Sequence, residues 1–244
     1  MAESVAPEIV VAPDLDRLSR SAAERATGIV SRTVAERGHC TVALSGGTTP
    51  LTLYALLADE YRLAAPWRQA EWFWGDERCV PPDHAESNYR AARDALLGPL
   101  RIPSGMVHRI DCAAGAPAGA TRYEEILHDR LTAGRFDLVL LGVGADGHTA
   151  SLFPGSAALE ERERWAVAVT GGPGLAVRER VTVTYPVLNR ARAVFVLAAG
   201  AGKHPVVARM LAGDRTDPAA RVRPDGDLVW FMDEAARTGE TAAA

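Results

Sequence analysis

The sequence predicts an α/β fold, a single doubly wound domain with a mostly parallel sheet flanked by helices. Two observations carry that expectation. Short apolar runs alternate with helix-periodic segments from end to end. Apolar residues make up 48% of the chain and aromatics only 6%, so Ala, Val and Leu dominate. That composition suits helices on a parallel sheet better than an all-β sandwich. No repeat or long linker divides the 244 residues, so one domain over 1–244 is the simplest account.

The elements follow in order. Ile9-Val10-Val11 reads as a short strand. Asp14 can cap a long helix ending near Gly38, with Leu15, Leu18, Ala22, Ile29 and Val30 on one face. Thr41 to Leu44 is the next strand, and Pro50 takes a first-turn position in another helix. Glu71 to Trp74 is a strand, followed by a loop and a helix from about Asn88 to Leu97. Val107 to Ile110 is a candidate strand, and Ala113 to Gly119 is an Ala/Gly/Pro loop. Tyr123 to Leu131 is a helix feeding the strand Asp137 to Leu141. In the second half, Ala166 to Val169 and Val181 to Tyr185 are strands around the mobile loop Gly171-Gly172-Pro173-Gly174. Pro186 opens a short helical turn, Val194 to Leu197 is a strand, and His204 to Leu211 is a helix. Gly213 to Gly226 is irregular, Leu228 to Met232 is the last strand, and the tail after Arg237 is expected to fray.

Several function classes lose support. A net charge of −4 leaves no nucleic-acid footprint. The longest apolar runs, such as Val194 to Ala199, are too short to span a bilayer. Met1-Ala2-Glu3-Ser4 shows no basic segment before an apolar one, so a cytoplasmic location is expected. Cys40, Cys79 and Cys112 form no CxxC and read as buried or incidental thiols. There is no GxSxG and no HExxH, and the six histidines show no metal-ligand spacing. Water activated by a general base therefore fits better than a covalent nucleophile or a metal hydroxide.

The most informative stretch runs from Asp137 to Gly155. A buried-type strand ends in glycines, and Asp146 and His148 follow at its C-terminal end, where open α/β sheets bind ligands. Gly142-Val143-Gly144-Ala145-Asp146-Gly147 formally fits GxGxxG. A dinucleotide role is rejected, because Asp146 would face a pyrophosphate and Pro154-Gly155 arrives too early for a long helix. Asp146 can instead fix the tautomer of His148, which then activates water. Ser45-Gly46-Gly47-Thr48-Thr49-Pro50 joins a strand to a helix and offers backbone N–H groups and hydroxyls to a phosphate. Its plainer reading is a tight turn with capping hydroxyls. In Trp74-Gly75-Asp76-Glu77-Arg78, Arg78 is the candidate for a developing oxyanion or a substrate phosphate. Asp76 either contacts substrate or braces Arg78. Lys203 at a helix start is a candidate phosphate counter-charge, and Arg180 a weaker one.

These segments resemble 6-phosphogluconolactonases. The likeness rests on Leu44 to Pro50, Trp74 to Arg78, Ser87-Asn88-Tyr89, Gly142 to Gly155, Arg180 to Asn189, Gly202-Lys203, and Pro218-Ala219-Ala220 through Trp230 and Asp233. It implies a Rossmann-like domain related to glucosamine-6-phosphate deaminase. It implies cofactor-free hydrolysis of 6-phospho-D-glucono-1,5-lactone, the second step of the oxidative pentose phosphate pathway, by a monomer or weak homodimer. It assigns His148 as general base and places Arg78 and Lys203 on the substrate. The residue after that lysine is usually hydrophobic or alanine, whereas here it is His204.

Two rivals remain. A glucosamine-6-phosphate deaminase-isomerase would carry an acid five residues after the histidine, where this chain has Phe153. A non-catalytic sugar-phosphate sensor would normally add a DNA-binding helix-turn-helix, and the segment before the first strand is too short for one.

Overall fold

Along residues 6–240, which the computed structural model describes, strands and helices alternate as expected. The elements are β1 (Glu8–Ala12), α1 (Leu15–Arg37), β2 (Cys40–Leu44), α2 (Thr48–Ala58), β3 (Ala70–Trp74), β4 (Asp76–Arg78), α3 (Asn88–Ala92) and α4 (Ala116–Arg130). They continue with β5 (Leu138–Gly142), β6 (Ala166–Thr170), β7 (Glu179–Val183), α5 (Tyr185–Leu188), β8 (Ala193–Ala198), α6 (His204–Leu211), β9 (Asp227–Asp233) and α7 (Glu234–Thr238). The ends of α1 are set by side-chain chemistry. The Asp14 carboxylate accepts the Arg17 N–H at 2.8 Å, and Gly38 turns left-handed at φ 78°. Leu18, Ala22, Ala26 and Val30 form its buried face.

Six strands make a parallel sheet in the order β1-β9-β8-β5-β2-β3. β2 and β8 are buried along their whole length, as continuous apolar strands covered on both faces must be. The expected α/β architecture is therefore present, with one departure. β6 and β7 leave the parallel sheet and form a small antiparallel sheet with β4, in the order β4-β7-β6. No helix lies between β6 and β7, and parallel pairing needs a crossover.

Smaller corrections have local causes. Val107 to Ile110 is not a strand, and only a single bridge joins Trp72 and Val107. α4 begins at Ala116, inside the expected loop, because Gly115 makes the turn at φ 90° and Pro117 suits a first helical turn. The expected helix from Asn88 to Leu97 is α3 followed by a π-helical turn over Arg93–Leu97. Tyr185 opens α5 rather than ending β7. Cys79 and Cys112 are joined in a disulfide that ties the chain just past β4 to the loop before α4. Only Cys40 keeps the expected buried thiol, and burial, then the Asp137 charge, pushes that thiol up. Thr238 still belongs to α7, which closes at its C-cap Gly239, so the first residue of the expected frayed tail is helical, and residues 241–244 lie outside the described set.

The sheet opens at one point. β2 leads to β3 on one side, while β5 lies on the other. β2 and β5 pair only at Val42–Leu138 and Ala43–Val139, so they part before their C-terminal ends. Two buried tyrosines satisfy backbone that the ladder leaves over, Tyr54 just past β2 at this opening and Tyr123 on the outer edge of β3. The Tyr54 hydroxyl accepts the Ser45 N–H at 2.9 Å and donates to the Ser45 carbonyl at 2.8 Å. The Tyr123 hydroxyl does the same for Trp74, at 2.9 and 2.8 Å. A Tyr123→Phe protein should fold but lose about 1–3 kcal/mol, since it strands a buried N–H and C=O. Urea denaturation at neutral pH measures the loss.

Candidate active site

The crevice between β2 and β5 is a topological switch point, the place where doubly wound sheets hold ligands. A cavity of about 250 Å³ occupies it. Ser45, Gly46, Gly47 and Thr48 line it from the β2–α2 turn, and His148 lines it from the turn after β5. Asp76 and Arg78 reach it from β4, Arg180 from β7, and Lys203 from the turn before α6. The turn after β2 is shaped for backbone approach. Gly47 sits at φ 94°, and a Cβ on Gly46 would come 1.9 Å from Asn88 Oδ1. The Ser45 hydroxyl is buried with no hydrogen-bond partner among the described residues.

His148 is held by a compact turn. Gly144 N–H donates to the His148 carbonyl at 2.8 Å, and Gly147 N–H to the Gly144 carbonyl at 3.0 Å. Asp146 Oδ1 lies 2.5 Å from His148 Nδ1 and also accepts the His148 N–H at 3.2 Å. Asp146 does not line the cavity but stands behind the imidazole, facing a neighbouring cavity. Burial works to raise its pKa, but the His148 charge and N–H donors prevail and hold the carboxyl below its usual range. The Phe153 ring packs 5.0 Å from the imidazole, and the Arg180 guanidinium lies 5.6 Å from the same Phe153 ring.

The small sheet brings two arginines together. Arg78 and Arg180 stand opposite each other in the β4–β7 register, an arrangement that like charges disfavour. An anion between them would relieve it. Burial, opposed by Asp76, pushes the Arg180 pKa down from its very high ordinary value. No hydrogen bond or ion pair joins Asp76 to Arg78 among the described residues. The Asp76 carboxylate accepts the Ser151 hydroxyl at 2.5 Å and the Asn88 amide at 3.2 Å, and it lies 3.8 Å from Arg180. Arg78 instead donates to the Glu86 carbonyl at 2.7 Å. Its backbone N–H bonds the buried Glu77 carboxylate, which also accepts the Asn88 and Tyr89 N–H groups and so fixes the start of α3. Burial raises the Glu77 pKa despite those donors.

Nine of the ten sequence-predicted residues thus meet at one cavity, and Asp146 reaches it through His148. Asn88 and Gly144 also line the cavity, and Ser151 holds the Asp76 carboxylate, three parts that the motifs alone do not announce. Asn88 lies in a recognised motif and Ser151 follows the Asp-Gly-His turn, so their neighbourhood was visible though their contacts were not. Gly171 and Gly172 line the neighbouring cavity rather than this one. Among the described residues no group of metal-ligating side chains occurs, and no helix is long and apolar enough to cross a membrane.

Residues 13–230 match the family described as glucosamine-6-phosphate isomerases/6-phosphogluconolactonase. The chain belongs to that family. It is 41% identical over 241 residues to a 6-phosphogluconolactonase from Synechocystis, covering 95% of this chain and 98% of that one. A second relative with the same name, from Nostoc, is 38% identical over 93% of this chain and 96% of its own. The solved 6-phosphogluconolactonase of Trypanosoma brucei superposes with a TM-score of 0.85 at 34% identity, covering 96% of this chain and 98% of that one. A monomeric glucosamine-6-phosphate deaminase shares the fold at 18% identity and a TM-score of 0.81. The Rossmann-like expectation therefore holds for this member of the family.

A Cβ on Gly144 would fall 2.2 Å from His148 Nδ1 and 2.5 Å from Asp146 Oδ1. Gly144→Ala should displace the imidazole and cut turnover about a hundredfold, the scale of a misplaced catalytic group. Its melting temperature should stay near wild type, and kinetics beside calorimetry checks both. The pH dependence has a defined sign. Because the folded Asp146 pKa is lowered, its stabilisation is present above the unfolded value, about 3.9, and is lost as pH falls through the folded one. Wild-type and Asp146→Asn urea midpoints should differ at pH 6 and converge as the solution is acidified.

Proposed function

We propose that this protein hydrolyses 6-phospho-D-glucono-1,5-lactone to 6-phospho-D-gluconate, with His148 as the general base. One observation carries the reading: His148 Nδ1 is tied to Asp146 while its ring faces a cavity rimmed by the Ser45–Thr48 turn and three cations. The bond at Nδ1 assigns Nε2 to the substrate side.

The phosphate docks on the Ser45–Thr48 turn with Lys203 as counter-charge. Gripping this remote group presents the lactone carbonyl to His148, so binding energy is spent on orientation. Nε2 takes a proton from a water molecule as its oxygen bonds to C1. The carbonyl pair moves onto oxygen, and Arg78 stabilises that oxyanion. Asp146 stabilises the imidazolium. When the tetrahedral species collapses, the bond from C1 to the ring oxygen breaks and the imidazolium returns its proton to that oxygen. The new carboxylic acid then releases a proton to solvent. This scheme calls on no cofactor, and we place it in a cytoplasmic monomer or weak dimer.

Phe153 weighs against the deaminase reading. Its apolar ring fills the position where that chemistry expects an acid, and it is wedged between His148 and Arg180. A binding-only sensor would have little use for an imidazole so oriented.

The decisive assay follows proton release from freshly generated lactone, with spontaneous hydrolysis subtracted. Wild type should turn over. His148→Asn should melt normally and lose at least about a hundredfold in kcat, within the range of general-base effects. Near-wild-type turnover by that variant would remove His148 from the mechanism. Ammonia release from glucosamine 6-phosphate by the wild type would replace the lactonase reading with the deaminase one.

A further inference from the structure

We infer that Asp233 is a positioning residue for Lys203, and that through Asp233 and His204 the C-terminal helix α7 forms part of the substrate-binding apparatus. The inference rests on reading Lys203 as the phosphate counter-charge. Lys203 ends a short 3₁₀ turn, Ala201–Lys203, that starts from Gly200 at the end of β8. Its N–H donates to the Gly200 carbonyl at 2.9 Å. The seat of Gly200 therefore decides where the lysine stem begins.

That seat is a side chain. Gly200 N–H donates to both carboxylate oxygens of Asp233, at 2.9 and 3.0 Å. The β8–β9 ladder runs only as far as Ala198–Met232, so the carboxylate of the next residue replaces the strand partner that Gly200 no longer has. Asp233 is 6% exposed, which makes these charge-assisted bonds strong and their loss costly. The same carboxylate accepts the Ala236 N–H at 2.7 Å and so caps α7. One buried group thus joins the end of β9, the start of α7 and the turn that carries Lys203.

A second contact runs parallel to it. His204, the residue that departs from the usual hydrophobic or alanine, places Nδ1 2.9 Å from the Arg237 carbonyl on α7. Its ring lies over Gly239, where a Cβ would come 2.9 Å from the ring carbon Cδ2. A lysine is a flexible point charge, and holding it costs rotamer freedom on binding. Fixing its backbone from two sides spares the added cost of ordering the turn when the phosphate arrives. The proton chemistry at His148 does not depend on these contacts, so their removal should act on binding rather than on turnover.

The test uses the full chain with Asp233→Ser, His204→Ala, Lys203→Ala and the double variant Asp233→Ser with Lys203→Ala. Lactone kinetics give KM and kcat, and calorimetry gives Kd for 6-phosphogluconate. Serine still caps a helix, so Asp233→Ser should keep α7 while releasing Gly200. It should raise KM and Kd about tenfold, leave kcat within about twofold, and leave the pH profile unmoved. His204→Ala should shift KM and Kd the same way by about threefold, and it carries the test should Asp233→Ser not fold. In the Lys203→Ala background, Asp233→Ser should add almost nothing, because the lysine it positions is gone. Unchanged KM and Kd in both single variants, or an equal penalty with and without Lys203, would overturn the inference. Lys203→Ala with wild-type KM would instead refute the phosphate reading itself, and this inference with it.

Discussion

The early parting of β2 from β5 is the constraint on which the rest of the molecule depends. Parallel strands satisfy their backbone only while they run side by side, and each group left over needs another partner. Here pairing stops at Ala43–Val139, well short of the turn after Gly142. Tyr54 takes over the backbone of Ser45, and the turn after β5 folds on itself through Gly144, Gly147 and His148. The freed chain ends become a wall of polar groups around a void. The void and the turn that carries His148 are thus two results of one break in the ladder.

Charge is distributed around that void according to burial. The half-buried cations Arg78 and Lys203 line it, and Arg180, which is more deeply set, has Asp76 close by. Asp76 is locked by Ser151 and Asn88, so its carboxylate acts as an acceptor with a fixed direction. A phosphorylated sugar would meet cations at its anionic end and one oriented acceptor near its hydroxyls.

Much of this was legible in the sequence because it follows local rules. Asp14 and Gly38 mark the ends of α1, and the apolar runs at Thr41 to Leu44 and Val194 to Leu197 mark buried strands. The site residues were legible because they cluster at strand ends and within a recognisable family pattern. What escaped notice depends on long-range pairing. The apolar run Ala166 to Val169 looks alike whether a strand joins a parallel sheet or a hairpin, so the sequence does not announce the second sheet. Cys79 and Cys112 are 33 residues apart and meet only because β4 and the loop before α4 converge. Asn88 opposes Gly46 across a contact that neither residue's neighbours announce.

The two sheets contribute different parts to the cavity. His148, Ser45 and Lys203 come from turns of the parallel sheet, while Arg78 and Arg180 ride on the antiparallel one. The turn that holds His148 and the hairpin that carries Arg180 are therefore separate pieces of chain that meet at the Phe153 ring. A lineage that kept Phe153 and Arg180 could vary the rest of the β6–β7 hairpin, altering which sugars are admitted, while the imidazole keeps its packing. The fold would in that way let substrate preference drift while the underlying chemistry stays in place.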